Sequence, residues 1–239
     1  MSTEEEVERL QKALKRANSE FEEFISMAAH NLREPLRDVA AFSQLMSETY
    51  AGRLDPDAGV FLERIQEGAA QMQSLLADMV DYWAAGEGER QFSRTDMEAV
   101  LRQTLLCTEK QIAERSAGVT SDPLPSVMGD FEMLTKVLRH LIRNAIEYCD
   151  APSPRVHVSC RQMDCNWVFS VQDNGSGIDP AFQKRIFEPF KRLHGRDYPG
   201  NGLGLAFCRK AIGWHGGRMW LESAPGAGST FYFTLRPSE

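Results

Sequence analysis

His30 stands in the run Ala28-Ala29-His30-Asn31-Leu32-Arg33-Glu34-Pro35-Leu36, and two glycine-rich stretches follow it far downstream. The first is Asp173-Asn174-Gly175-Ser176-Gly177-Ile178, and the second is Gly200-Asn201-Gly202-Leu203-Gly204-Leu205. A neutral imidazole nitrogen is a nucleophile. Consecutive backbone N–H groups at a helix start, with no bulky Cβ in the way, bind phosphate. In this order the elements suggest two halves of one reaction, one holding ATP and the other offering an imidazole to its γ-phosphate.

Each element has a plainer reading of its own. An Asp-Asn-Gly cluster is a common turn, although a carboxylate fixed at a strand end can accept a hydrogen bond from an adenine amino group. The second stretch has neither the Walker spacing nor the Rossmann fingerprint, and as a lone feature it reads equally as a hinge. Asn144 lies off the apolar stripe of its helix, where its carbonyl oxygen suits Mg²⁺. A surface asparagine reads the same way. His30 falls off the apolar seam of its helix, so its ring is expected in solvent.

The elements that must position these residues follow from periodicity. Val7, Leu10, Leu14, Ala17, Phe21, Phe24 and Ala28 alternate spacings of three and four, a heptad seam that favours a parallel pair of chains. The pattern runs on through Leu32, Leu36, Val39, Phe42, Leu45 and Met46, with Pro35 expected to kink or loosen it. Gly52 to Pro56 is a turn. A second helix is expected with Phe61, Ile65, Met72, Leu75, Leu76, Met79 and Trp83 on its buried face, ending at a hinge over 85–89. Such a hairpin is too thin to bury its own core. Two copies would make a four-helix bundle, so a homodimer is expected.

Beyond residue 89, Leu134, Val137, Leu138, Leu141, Ile142 and Ala145 form a helical stripe. Val156, Val158 and Cys160 alternate as a strand, as do Trp167, Phe169 and Val171. Met219 to Leu221 forms a short strand. In the last strand Phe231, Phe233 and Leu235 are expected inward, and Thr230, Tyr232 and Thr234 outward. The fold expected is an all-α hairpin over 1–88, followed over 89–239 by an α+β sandwich with helices on one face of a mixed sheet.

The bulk numbers narrow the classes. A net charge of −7 over 239 residues argues against nonspecific nucleic-acid binding. No apolar run approaches the roughly 18 residues of a membrane span, so no membrane insertion is expected. The five cysteines have no Cys-x-x-Cys pairing, which fits a reducing cytoplasm better than a disulfide framework or metal site.

In this order the motifs resemble the sensor histidine kinases of two-component signalling, with wording closest to the phytochrome-like branch. His30 to Leu36 resembles the phospho-acceptor box and Leu134 to Tyr148 the asparagine box. Asp173 to Ile178 and Gly200 to Leu205 resemble the two glycine boxes, with Ile186 to Phe190 as the phenylalanine box between them. Gly226 to Phe231 resembles the last box. The resemblance implies a catalytic domain of the histidine kinase and gyrase ATPase type, with a mobile lid over 187–200. It implies that Asp173 contacts adenine, Tyr148 lines the base, Arg192 reaches the phosphates and Asn144 holds Mg²⁺. Gly175, Gly177, Gly202 and Gly204 would shape the pocket, and Leu203, Leu205 and Thr230 belong to the same nucleotide-binding boxes.

The implied activity is ATP-dependent autophosphorylation of His30 and transfer to an Asp of a response-regulator receiver. An upstream sensor domain or a separate protein would supply the input. The sequence departs from the pattern at three points. Asn31 replaces the usual acid after the histidine, leaving Glu34 as the nearest base. His140 stands in place of the first asparagine of its box, and Glu147 in place of a common lysine. These departures keep open the alternative of an ATP-binding pseudokinase adaptor. A chaperone-like ATPase is disfavoured because His140 replaces an acid near that position.

Overall fold

The computed structural model describes residues 3–85, 92–193 and 200–238. The expected hinge at Gly86–Glu89 and residues 194–199 of the expected lid lie outside them. The chain divides into two compact units, Met1–Ala84 and Ala85–Glu239, a few residues before the boundary expected from sequence.

The first unit is a helical hairpin of α1 (Thr3–Thr49) and α2 (Pro56–Ala84). Helix α1 runs unbroken through Pro35, where a kink was expected. The ring removes one backbone donor and so leaves the Asn31 carbonyl without its i+4 partner. Gly52, at φ +74°, turns the chain. Asp55 then caps α2 by accepting from the Ala58 N–H at 2.7 Å, and Pro56 takes the first helical position, where no N–H is needed.

The hairpin's inward face differs from the expected one. Leu62 and Ala69 of α2 are buried, with Ala29 of α1, whereas Phe61, Ile65 and Met72 are exposed, Phe61 to 65%. Two apolar stripes run side by side along α2, and one neighbouring helix covers only one of them. On α1 the seam residues Val7, Leu10, Phe21 and Phe24 also face outward, and Phe42 is 66% exposed. The Leu14 side chain lies outside the described residues. Phe21 and Trp83 meet edge to face at 4.7 Å, tying α1 to the end of α2.

The second unit opens with β1 (Ser93–Asp96), α3 (Met97–Glu114), β2 (Gly118–Ser121) and β3 (Ser126–Gly129). It continues with α4 (Phe131–Glu147), β4 (Arg155–Met163), β5 (Asn166–Asp173), α5 (Gly204–Trp214), β6 (Met219–Ser223) and β7 (Ser229–Leu235). The main sheet has the order β2-β4-β5-β7-β6, with β2–β4 parallel and the other pairs antiparallel. β1 and β3 form a separate antiparallel pair. Helices α4 and α5 pack on the sheet and α3 packs on α4.

The register lines up Val158 with Val171 in one buried row and Phe169 with Phe233 in the next, where the two rings stack at 5.1 Å. Phe231, Phe233 and Leu235 are buried as the alternation predicts, but so is Thr234. Its hydroxyl accepts from the Arg218 N–H at 2.9 Å, which satisfies it there. Asp130 caps α4 by accepting from the Met133 N–H at 2.8 Å. The cap fixes the phase of a helix that buries Leu134, Val137, Leu138, Leu141 and Ile142 and leaves Asn144 on its flank.

Candidate active site

A recess with a cavity volume of about 110 Å³ opens in the second unit, lined by the end of α4, both glycine stretches, the start of α5 and β7. Strand β5 ends at Asp173, which is held at the recess by two backbone donors: Gly175 N–H at 2.9 Å and Ser229 N–H at 3.0 Å, both to Oδ1. Burial pushes its carboxyl above the ordinary value, and those two hydrogen bonds pull back against the shift.

Glycines are required here by close approach. A Cβ on Gly177, whose φ is +72°, would lie 2.0 Å from the Ala224 carbonyl oxygen. One on Gly202, at φ +71°, would lie 2.8 Å from the Lys191 oxygen, and the Gly202 carbonyl accepts from the Phe190 N–H at 2.9 Å. Gly175 packs on the Tyr148 carbonyl, which also accepts from the Ser176 N–H at 3.1 Å. The first loop is thus clamped to the helix end and to the turn at Ala224–Gly226, and the second to Phe190 and Lys191.

Tyr148, Asp173, Gly177, Arg192, Gly202, Gly204, Leu205 and Asn144 all line the recess. Gly175, Leu203 and Thr230 do not. Leu203 is a core residue at 1% exposure, and strand alternation sends Thr230 away while its neighbours Ser229 and Phe231 line the wall. Ser176 and Asn201, within the quoted glycine stretches, also line it, and so do Arg143 and Lys191, which the sequence did not single out. The signal for Ser229 and Phe231 was already present in the phase of β7.

The recess fits a nucleoside triphosphate by charge. Its lining carries Arg143, Lys191 and Arg192 against one carboxylate, Asp173. Among the described residues no group of three or more His, Cys, Asp or Glu could hold a metal by itself. A divalent ion here would take the Asn144 oxygen and the ligand's own phosphates, as Mg²⁺ does.

Two of the three departures, His140 and Glu147, find a structural account. His140 is 2% exposed and lies beneath the first residue of α5, with its Nδ1 2.8 Å from where a Cβ on Gly204 would be. Burial first, and then Arg143, Arg139 and Lys136, push its imidazole down to about 3, so it is neutral. Glu147 does not line the recess and instead pairs with Arg143, Nε to Oε1, at 3.5 Å.

In the first unit His30 is exposed on α1. A shallow groove joins it to Arg33, Glu34 and Arg37, all on one face of the helix, and to Gln73 of α2. The i, i+3, i+4, i+7 spacing puts those four side chains in one row.

Comparison with known proteins agrees with this division. Residues 22–87 match the His Kinase A (phospho-acceptor) domain, and residues 129–239 match the histidine kinase-, DNA gyrase B- and HSP90-like ATPase. The chain belongs to the histidine kinases. Over 97% of its length it is 42% identical to cyanobacterial phytochrome A of Nostoc sp. strain PCC 7120, of which it spans only 30%. It is 32% identical over 90% of its length to the adaptive-response sensory kinase SasA of Prochlorococcus marinus strain SARG, spanning 56% of that protein. The histidine kinase ShkA, solved full length with AMPPNP, matches 90% of the chain at a TM-score of 0.70 and 24% identity, covering 46% of ShkA. ThkA, solved in complex with the response regulator protein TrrA, matches 95% at 0.62 and 18%, covering 66% of ThkA. These two likenesses show the fold. No helix among the described residues is long and apolar enough to cross a membrane.

Proposed function

We propose that this chain is the working core of a protein-histidine kinase, which binds ATP in the recess and autophosphorylates His30. The observation that carries this reading is the presence of both halves: a glycine-walled, cation-lined recess closed by Asp173, and an exposed imidazole on a helical hairpin. Asp173 would take the adenine amino group, with Tyr148 beside the base. Arg192 would face the phosphates, with Gly202 and Gly204 opening backbone N–H groups toward them. Mg²⁺, held by Asn144 and the phosphates, would supply charge neutralisation.

In the reaction a ring nitrogen of His30 attacks the γ-phosphorus in line, a P–N bond forms, the bond to the β–γ bridging oxygen breaks, and ADP leaves. The proton on the other ring nitrogen passes to Glu34 or to water. The phosphoramidate then donates its phosphoryl group to an Asp carboxylate of a response-regulator receiver docked on the hairpin. Neutral His140 and paired Glu147 leave the positive lining of the recess intact, which supports a kinase over an adaptor without chemistry. The outward apolar stripes of α1 and α2 support a homodimer, and the phytochrome-like identity supports an upstream sensor.

Nucleotide titration tests the recess. Wild type is expected to bind ATP, and Asp173→Ala to weaken ATP and adenosine alike by at least tenfold, because the carboxylate is read by the base. Equal affinities in the two proteins would overturn the assignment.

A further inference from the structure

Helix α4 places one more cation at the recess than the motifs account for. Arg143 lines the wall beside Asn144, and its Nε is sealed from solvent without a hydrogen-bond partner. Its acidic neighbour is Glu147, one turn on, at 3.5 Å, and the two side chains retain only 24% and 15% of their exposure. Such a pair is poorly explained as a helix support. The favourable order puts the acid before the base, and here the base comes first. Drawing both charges out of water also costs free energy that their attraction only partly returns.

The recess supplies the missing reason. Asp173 is committed to the loops through Oδ1, and every other charged lining residue is a cation, in a chain whose net charge is −7. Guanidinium is a planar fork with five donors, so one edge can face a carboxylate while another faces phosphate oxygens. The Arg143 charge is also felt at His140 behind the wall, where it ranks next after burial in holding that imidazole neutral.

We infer that Arg143 is a phosphate-binding residue of the nucleotide site, with its guanidinium shared between the ATP phosphates and Glu147, which positions it. The inference rests on the reading of the recess as an ATP site. On this account Glu147 does not oppose the phosphates; it holds the cation that meets them. Arg143 and Glu147 act as one unit on one turn of α4.

Calorimetric titration with ATP and with adenosine separates this role from a structural one. Arg143→Gln is expected to bind ATP ten- to thirtyfold more weakly and adenosine within twofold of wild type. Arg143→Lys keeps the charge but loses the fork, and is expected to lose about threefold for ATP alone. If the glutamine variant does not fold, the lysine variant decides between the two roles. Parallel loss of ATP and adenosine, or unchanged ATP affinity, overturns the assignment of Arg143. Wild type that binds no ATP, or binding indifferent to Asp173→Ala, overturns the nucleotide reading of the recess instead.

Discussion

The helical unit of residues 1–84 and the mixed unit of 85–239 bury their side chains in different ways. Among the described residues, the hairpin buries only Ala29, Leu62 and Ala69 of its apolar side chains. Phe24, Phe42, Phe61, Ile65 and Met72 stand exposed. The second unit closes a core of Phe169, Phe233, Leu138 and Ile142 around its own sheet and helices. The chemistry divides the same way. His30 is offered in the open, where a second protein can reach it, whereas Asp173 is set by burial and two backbone donors and His140 by burial and neighbouring cations. On the proposed function His30 is visited by two partners, nucleotide and receiver, and a group so used cannot be enclosed. A group that must recognise one ligand gains from enclosure, because electrostatics strengthen as water is excluded.

The largest expected effect breaks the first side of that contrast. If the outward stripe is a dimer seam, Ile65→Ala removes apolar burial twice, once per copy, about 4 kcal/mol in all. Sedimentation should show the dimer dissociation constant rising about a thousandfold with helix content unchanged. An unaltered constant would remove α2 from the interface.

The second side is broken at Gly204. A methyl group there meets the buried His140 ring, so Gly204→Ala is expected to weaken ATP about thirtyfold. In a His140→Ala background the same change should cost less than threefold. Equal losses in both backgrounds would mean that His140 does not set the position of the loop.

A smaller effect sharpens the contrast. The folded value of His140 lies near 3 against an ordinary 6.5, so between these values the unfolded chain binds a proton that the folded chain refuses. Stability therefore rises with pH through this window and falls as pH is lowered. From pH 7 to 5.5 the loss from this residue is about 1 kcal/mol. His215, also lowered by burial, acts in the same direction. Urea unfolding of His140→Asn should show a pH dependence shallower by that amount, and an unchanged dependence would contradict the buried neutral ring.

Much of this was readable from residue order. The glycine stretches, Asp173, Asn144 and the alternating strands β4, β5 and β7 each carry a local signal, and the structure brings the loops, Asp173 and Asn144 to one recess. β1, β2 and β3 escaped notice because each has four residues, and β1 and β2 lack a clear apolar alternation. Which stripe of α2 faces α1 was not legible either: Phe61 and Leu62 are both apolar neighbours, and only packing chooses between them. Thr230 was counted with the nucleotide-binding boxes by resemblance although the alternation of β7 already turned it outward, and the structure follows the alternation. Arg143 was hidden because a helix-surface arginine carries no pattern until its neighbours are folded around it.

The central claim is that the recess and His30 belong to one phosphoryl transfer. Incubation with Mg²⁺ and γ-labelled ATP, with wild type beside His30→Gln, tests it directly. Acid-labile label is predicted on wild type and none on His30→Gln, with both proteins binding ATP equally. Label that persists on His30→Gln, or wild type that binds ATP and stays unlabelled, would contradict it.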